Sequence, residues 1–581
     1  MPQLRVAIAQ TNPVVGFISG NLTRLLDDAQ RAFDLGADVM VTGELALSGY
    51  PIEDLALRDD FLNRCSESVE WFAKELEARG LGELVVVLGH PDGPFPPPTD
   101  QYNPAHPQQA HNSASVIQHG VVQGRYNKHH LPNYSVFDEF RTFLPGTDYL
   151  VVRVGDVDCG IVICEDLWRE KGPVATMSAL PLGVLLVPNA SPFERDKDEV
   201  RLPLVKRRAK EMGCAVVYTN LVGGQDDLVF DGDSVAVDRA GTLLTRLPVF
   251  DEDVQVVTID APEASEWEVP ERTQRIELTK RSADTADAPA PVVCEERDDL
   301  ELVWQALVTG TRDYVNKNGF PGVILGLSGG IDSAVCAVIA SDAIGPERVY
   351  GVSLPSRYSS GHSRDDAQEL ADNLGMHFRV EAIADLVAPF DEQLGLTGLA
   401  AENVQARARG VVLMSISNME GQLVLTTGNK SELAVGYSTI YGDSVGGFAP
   451  IKDVPKTMVW ELARWRNHQA TLRGEVPPIP LSSIEKPPSA ELRPDQTDQD
   501  SLPEYDVLDA VLDLLIVQGL DHPQIVAKGY DSEMVAKIVT LVDRAEWKRR
   551  QGAIGPRISS VAFGRDRRLP VTARTQSVRP G

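Results

Sequence analysis

The stretch Val323-Ile-Leu-Gly-Leu-Ser-Gly-Gly-Ile-Asp-Ser-Ala-Val335 decides how the second half of this chain folds. An apolar run over 323–327 stops at Ser328-Gly329-Gly330, and an Ala-rich apolar segment over 334–344 follows at once. That order predicts a buried strand, a tight turn and a helix. Paired glycines let backbone N–H groups converge with no Cβ in the way, and a helix start adds unpaired donors and the positive end of its dipole. The turn therefore suits an anion, phosphate above all. Asp332 places a carboxylate where that anion would lie, and like charges repel unless a cation stands between them, so Asp332 predicts Mg²⁺. A kinase-type phosphate loop carries a Lys after its last Gly, and none follows Gly330. Donors at Ser328, Gly329, Gly330 and Ser333 instead suit an anion that leaves as a unit, which fits pyrophosphate release with AMP transfer.

Outward from this turn, apolar residues from Leu300 to Val315 share one helical face, and strands over 349–354, 378–382 and 423–426 alternate with helices over 363–375, capped by Ser363, and 404–419. Such alternation predicts a parallel, doubly wound sheet. The proline-rich, aperiodic run over 485–505 reads as a mobile loop able to act as a lid. In the first half, a helix over 22–33 capped by Asn21 joins strands over 4–9, 39–41, 85–88, 159–163, 185–187 and 215–220 and hairpins over 116–126 and 234–247, an α/β sandwich. Composition rich in Glu, Thr, Ala, Asp and Pro marks a linker. The expected division is a first domain over 1–262, a linker over 263–292 and a second domain over 293–581.

The 581 residues carry 55 Lys and Arg against 84 Asp and Glu, a formal charge of −29, which repels nucleic acid and anionic lipid over most of the surface. No secretory signal opens the chain and no apolar run approaches the roughly 18 residues of a membrane span. The six cysteines are scattered and lack Cys-x-x-Cys spacing, so reduced thiols and a cytoplasmic location are expected. The end of the chain reverses the charge: Lys548, Arg549, Arg550, Arg565, Arg567 and Arg568 offer cations to anionic substrates.

The run Gly326-Leu-Ser-Gly-Gly-Ile-Asp-Ser333 resembles the pyrophosphatase loop of the N-type ATP pyrophosphatases. Thr427-Gly-Asn-Lys-Ser-Glu-Leu-Ala-Val-Gly-Tyr437, continuing through Tyr441-Gly-Asp-Ser-Val-Gly-Gly447 to Asp453-Val-Pro-Lys-Thr457, is similar to the NAD⁺ synthetase family. The resemblance implies that ATP adenylates the nicotinate carboxylate of deamido-NAD⁺ and that ammonia then displaces AMP. By it, Gly326, Leu327, Ser328, Gly329, Gly330, Ile331, Asp332, Ser333 and Thr427 contact ATP, while Asn403, Glu432 and Lys548 bind deamido-NAD⁺. Asp332 is the metal-ligand candidate and Glu432 a second, its assignment to metal or dinucleotide being open.

Ammonia at neutral pH is mostly NH₄⁺, which lacks a lone pair, so an amidating enzyme gains by generating NH₃ on demand. Amide hydrolysis through a thioester requires a thiolate, a base for its proton, and a cation or donor for the developing oxyanion. Cys164, Glu44 and Lys128 each follow an expected strand and supply those three types. Gly43-Glu-Leu-Ala-Leu-Ser-Gly-Tyr-Pro51, Asn127-Lys-His-His-Leu-Pro-Asn133 with Phe137-Asp-Glu-Phe-Arg-Thr-Phe-Leu-Pro-Gly146, and Cys164-Glu-Asp-Leu-Trp168 resemble, in order, the three signatures of the nitrilase or carbon–nitrogen hydrolase superfamily. That likeness implies an αββα sandwich, with Glu44 as general base, Lys128 stabilising the tetrahedral intermediate, Cys164 as nucleophile and Glu139 in support. Similarity to the glutamine-dependent branch adds Tyr134, Ser191 and Lys197 as glutamine contacts. The expected partners are therefore glutamine, deamido-NAD⁺ and ATP, with no nucleic acid or membrane, and self-association into a homo-oligomer is common in the family. Two alternatives stay open: an amidotransferase with the same ATP chemistry on a different carboxylate, and a nitrilase-like amidase with a nucleotide-sensing domain.

Overall fold

The structure is a computed structural model that describes residues 1–96, 109–195, 198–281, 290–493 and 496–573. The chain divides into two compact units, residues 1–225 with 229–297 and residues 226–228 with 298–581.

Among its described residues the first unit contains a six-stranded sheet, in the order Asp253–Asp260, Gln3–Gln10, Val39–Thr42, Val85–Asp92, His111–Gln118, Val121–Asn127. A seven-stranded sheet runs Leu243–Arg246, Val235–Val237, Ala215–Asn220, Val184–Asn189, Val157–Ile161, Tyr149–Val154, Thr273–Leu278. Side chains alternate across a strand. Leu4, Val6 and Ile8 of one sheet meet Cys159, Ile161, Leu186 and Val217 of the other in a buried core. On the outer face of the second sheet, Leu185, Val187 and Val216 pack on Val205, Ala209 and Met212 of helix Asp198–Met212. Helices Ile18–Asp34 and Asp59–Ala78 pack together and against the first sheet, which completes an αββα sandwich.

Asn21 is not the helix cap: the helix begins at Ile18, and the buried Asn21 amide accepts from Val14 N at 2.9 Å and donates to Leu47 O at 3.0 Å, tying the helix to the loop after Val39–Thr42. Nor are residues 263–292 a linker throughout, since Thr273–Leu278 forms an edge strand parallel to Tyr149–Val154. Its two apolar side chains, Ile276 and Leu278, reach the intersheet core, too few to show in an average composition. Residues 282–289 of that stretch lie outside the described residues.

Among its described residues the second unit is built on four parallel strands in the order His377–Val380, Val349–Ser353, Val323–Gly326, Leu423–Val424. One face is covered by Ile331–Ile344, a helix apolar nearly all round and buried almost throughout. On the other, Val387, Leu413 and Ile416 of helices Ala384–Leu394 and Leu399–Glu420 pack on Ile324, Val352 and Val424. Both faces are thus covered, as a doubly wound sheet requires. The helix expected to be capped by Ser363 is capped three residues earlier and runs Gly361–Leu374, because Ser360 is the cap and accepts from Ser363 N at 3.1 Å. From Val323–Gly326 the chain builds outward on one side and returns to add Leu423–Val424 on the other, so the strand order reverses between these two and a crevice opens at their carboxyl ends. No helix among the described residues is long and apolar enough to cross a membrane.

Candidate active sites

Glu44 follows Val39–Thr42, Lys128 follows Val121–Asn127, Cys164 lies just past Val157–Ile161, and Glu139 opens the short helix Glu139–Thr142. The fold brings all four together. Lys128 Nζ donates to Glu44 Oε1 at 2.6 Å and to Glu139 Oε1 and Oε2 at 2.8 and 2.9 Å, with the side chains of Lys128 and Glu44 fully buried. Burial opposes charge on Lys128, but Glu139 and Glu44 outweigh it and hold the ammonium well above its ordinary range. Cys164 takes φ +45°, a left-handed conformation that costs a non-glycine residue energy and that surrounding structure must impose. Burial, reinforced by Glu44 and opposed by Lys128 and the Ala190 N–H, pushes its thiol well above the usual range. Cys164 therefore rests protonated, and a base must take its proton as reaction proceeds. Glu44 is aimed for that task, its Oε2 accepting from Ala190 N at 3.0 Å and its Oε1 from Asn112 Nδ2 at 2.7 Å. Burial also lifts Glu139 to about 7, with Lys128 lowering it and Glu44 raising it, while Tyr50 Oη donates to it at 2.7 Å. A base and a buried cation in contact with each other, with a nucleophile within their electrostatic reach, can hydrolyse an amide through a thioester.

Asp166, two residues past Cys164 and fully buried, accepts from Ile163 N at 3.3 Å, His130 N at 2.9 Å and Tyr126 Oη at 2.8 Å. It clamps the loop bearing Cys164 to the loop bearing Lys128, and His130 serves this clamp through Nδ1, 3.1 Å from Asp166. Sequence reasoning missed Asp166, Asn112 and Tyr50; Asp166 and Tyr50 stand inside the quoted runs, but nothing local marks their partners. Tyr134, half exposed, donates from Oη to Glu165 Oε2 at 2.8 Å and so stands beside Cys164. Ser191 is buried, its N–H donating to Asn220 Oδ1 at 2.8 Å. Lys197 lies outside the described residues. Cys159 is core.

In the second unit the turn after Val323–Gly326 folds on itself. Gly330 N donates to Ser328 Oγ at 3.2 Å and Ser333 Oγ to Gly330 O at 3.0 Å. Gly329 has φ +73°, and a Cβ there would meet Ser363 O at 2.3 Å, so this position admits only glycine. Across the crevice, Asn429 caps helix Lys430–Val435, its Oδ1 accepting from Glu432 N at 3.0 Å, while its Nδ2 donates to Asp332 Oδ1 at 3.0 Å. Lys456, buried on helix Lys456–Leu472, contacts Asp332 Oδ2 directly and lies 3.7 Å from Glu432 Oε1. Burial opposes charge on Lys456, but Asp332 and Glu432 outweigh it and raise its pKa. Burial, with Asp332 adding and Lys456 opposing, lifts Glu432 to about 8.

These groups line a cavity of about 310 Å³ that includes Gly326, Leu327, Ser328, Gly330, Ile331, Asp332, Ser333, Thr427 and Glu432 from the expected set, with Lys456, Arg409, Arg364 and Lys486 as cations. Gly329 shapes the turn from behind. Asn403 and Lys548 stand outside the lining and grip one segment of its rim: Thr439 Oγ1 donates to Asn403 at 2.8 Å, and Lys548 Nζ donates to Gly436 O at 2.7 Å and Ser438 O at 2.6 Å. Burial lowers the Lys548 pKa, Asp443 opposing. Among the described residues, the basic end of the chain contributes no cation to the cavity's lining. Arg549 is buried against Glu546 and the carbonyls of Val542 and Ala434, and Arg550 pairs with Glu546. Lys456, inside the quoted run ending at Thr457, and Arg409, in the helix read over 404–419, were missed because only the tertiary fold turns them inward.

Residues 303–552 match the NAD synthase family model, and residues 5–269 match that of carbon-nitrogen hydrolases. The glutamine-dependent NAD(+) synthetase of Acinetobacter baylyi is 44% identical over 577 residues, 98% of each chain, and that of Thermotoga maritima is 42% identical over 598 residues, 99% of each. Among solved structures, glutamine-dependent NAD+ synthetase from Acinetobacter baumannii in complex with adenosine diphosphate superposes with a TM-score of 0.72 at 40% identity, covering 98% of both chains. The enzyme of that name from Cytophaga hutchinsonii shares the fold, with a TM-score of 0.78 at 22% identity over 98% of both chains. Matched end to end by such relatives, and carrying both family regions in one polypeptide, the chain belongs to the glutamine-dependent NAD⁺ synthetase family.

Proposed function

We propose that the chain converts glutamine, deamido-NAD⁺, ATP and water to glutamate, NAD⁺, AMP and pyrophosphate. One observation carries this: a buried Cys164–Glu44–Lys128 cluster, suited to amide hydrolysis, shares a chain with a glycine-rich anion turn backed by Asp332 and Lys456. In the first unit, Tyr134, Ser191 and Lys197 receive glutamine. Glu44 takes the Cys164 proton as sulfur attacks the amide carbon, and Lys128, with Glu139 holding it, stabilises the oxyanion. The carbon–nitrogen bond breaks, ammonia leaves with the returned proton, and water activated by Glu44 cleaves the thioester to glutamate. In the second unit, Gly326–Ser333 and Thr427 hold ATP. Asn403, Glu432 and Lys548 place deamido-NAD⁺ so that its carboxylate attacks the α-phosphorus, pyrophosphate leaves, and ammonia then displaces AMP.

Asp332 and Glu432 both approach the Lys456 ammonium, which stands as the local cation between them. Two carboxylates beside a phosphate turn match the protein donors Mg²⁺ takes when nucleotide phosphates and water supply the rest, so these residues fit the ion. Asp332, with Glu432, would hold it, and when bound it neutralises phosphate charge. The reading includes a cytoplasmic protein, supported by six unpaired cysteines, and self-association, supported by exposed Leu386, Phe390, Leu394 and Leu399 on neighbouring helices.

Glutamine labelled with ¹⁵N in its amide is the test. The label is expected in the NAD⁺ carboxamide, with one AMP and one pyrophosphate per NAD⁺; unlabelled product or ADP in place of AMP would refute the reaction. A second expectation concerns pH. Glu139 is protonated below about 7 and ionised above it, and its charge secures Lys128. Glutamine hydrolysis should therefore rise as pH climbs through that value, and Glu139→Gln should flatten the rise and slow hydrolysis about 10²-fold. An unchanged profile in the variant would remove Glu139 from the cluster's chemistry.

A further inference from the structure

Beneath the loop that carries Ser191 lie four buried charges. Arg201 NH1 and NH2 donate to Asp231 Oδ2 and Oδ1 at 2.9 and 3.1 Å, and Arg201 approaches Asp233 at 3.6 Å. Arg246 Nε and NH2 donate to the two Asp233 oxygens at 2.6 and 3.2 Å. No member of the quartet has a side chain more than 8% exposed. Ion pairs at such depth contribute little net stability, because desolvation consumes most of their attraction, and apolar side chains of the same size would serve the fold as well. What charged pairs add is directional geometry, above all two planar forks on carboxylates.

That geometry is passed to Ser191. Asp231 Oδ1, already fixed by Arg201, accepts from Asn220 Nδ2 at 3.3 Å. Asn220 Nδ2 also donates to Ser191 O at 3.1 Å, and its Oδ1 accepts from Ser191 N at 2.8 Å, so one amide grips both polar backbone groups of Ser191. At the other end Arg246 NH1 reaches Glu296 at 3.1 Å, and the Arg246 backbone pairs with Val292 O and Cys294 N at 3.3 and 3.0 Å. We propose that the Arg201–Asp231–Asp233–Arg246 quartet is a positioning device for glutamine recognition, setting Ser191 through Asn220 and tied through Arg246 to the 292–296 segment. The proposal rests on the reading above in which Ser191 receives glutamine.

Arg201→Lys keeps the charge but loses the fork, and Arg246→Lys does the same one step farther from Ser191. For Arg201→Lys the glutamine KM should rise about tenfold, with kcat for hydrolysis within about twofold and ammonium-driven NAD⁺ synthesis unchanged, the signature of lost ground-state binding. Arg246→Lys should raise the same KM about threefold. A glutamine KM within twofold of the parent in both variants overturns the proposal, as does a joint fall of hydrolysis kcat and ammonium-driven rate, which marks general loss of structure. Should Arg201→Lys not fold, Arg246→Lys decides by the same measurement. Failure of the underlying assignment is seen separately: a parent protein that hydrolyses no glutamine, or Ser191→Ala with parental KM, removes glutamine from this pocket and the proposal with it.

Discussion

A Cys164→Ala enzyme makes NAD⁺ at the parent rate from ammonium and none measurable from glutamine. Removing the nucleophile of a concerted catalytic set costs at least about 10⁴-fold, because base and cation have nothing left to act upon. The fold should survive: alanine faces the same left-handed backbone as cysteine at φ +45°, and the Lys128–Glu44–Glu139 ion cluster keeps its own contacts. Steady-state rates with each nitrogen source check this directly. A variant inactive with both would show that the two chemistries do not occupy separate sites, and one active with glutamine would remove Cys164 from the reaction.

The converse expectation concerns Asp332→Ala, which should hydrolyse glutamine while losing NAD⁺ synthesis from either nitrogen source by about 10²–10³-fold, the range for deleting one preorganised electrostatic group. Asp332 holds two partners at once, Asn429 and Lys456. Without it Asn429 loses the bond linking the two sides of the crevice, and the buried Lys456 ammonium is left with Glu432 at 3.7 Å and the rings of Trp460 and Tyr505 at 5.6 and 5.4 Å. Pyrophosphate release, followed with deamido-NAD⁺ present and absent, is the readout. Synthesis retained within a few-fold would defeat the role given to Asp332, and Asp332→Asn, which keeps shape without charge, separates the electrostatic part from packing.

Much of the architecture was legible because it is written locally. The apolar run, Ser-Gly-Gly and Ala-rich segment at 323–344 became strand, turn and helix, and the hairpin read at 116–126 is the antiparallel pair His111–Gln118 and Val121–Asn127. The catalytic candidates were legible for a related reason, since Glu44, Lys128 and Cys164 each lie just past a strand in a recognisable run. What escaped depends on distance. Asn112 meets Glu44 across 68 residues and Asp332 meets Lys456 across 124, pairings created by sheet order and helix docking rather than by any nearby pattern. The basic end of the chain misled because charge composition counts cations without saying which are spent on Glu546 and helix carbonyls.

The segment after residue 262 has a protective consequence. Thr273–Leu278 is the edge strand that covers Tyr149–Val154 in the seven-stranded sheet, and Val293 bridges to Arg246 on the strand at the opposite edge. A bare edge offers unpaired N–H and C=O groups on which another chain can add, the usual start of β-aggregation. A glutaminase fragment ended at 262 would bare Tyr149–Val154 and free Arg246 of its bridge at once, whereas one carried through 297 keeps both pairings.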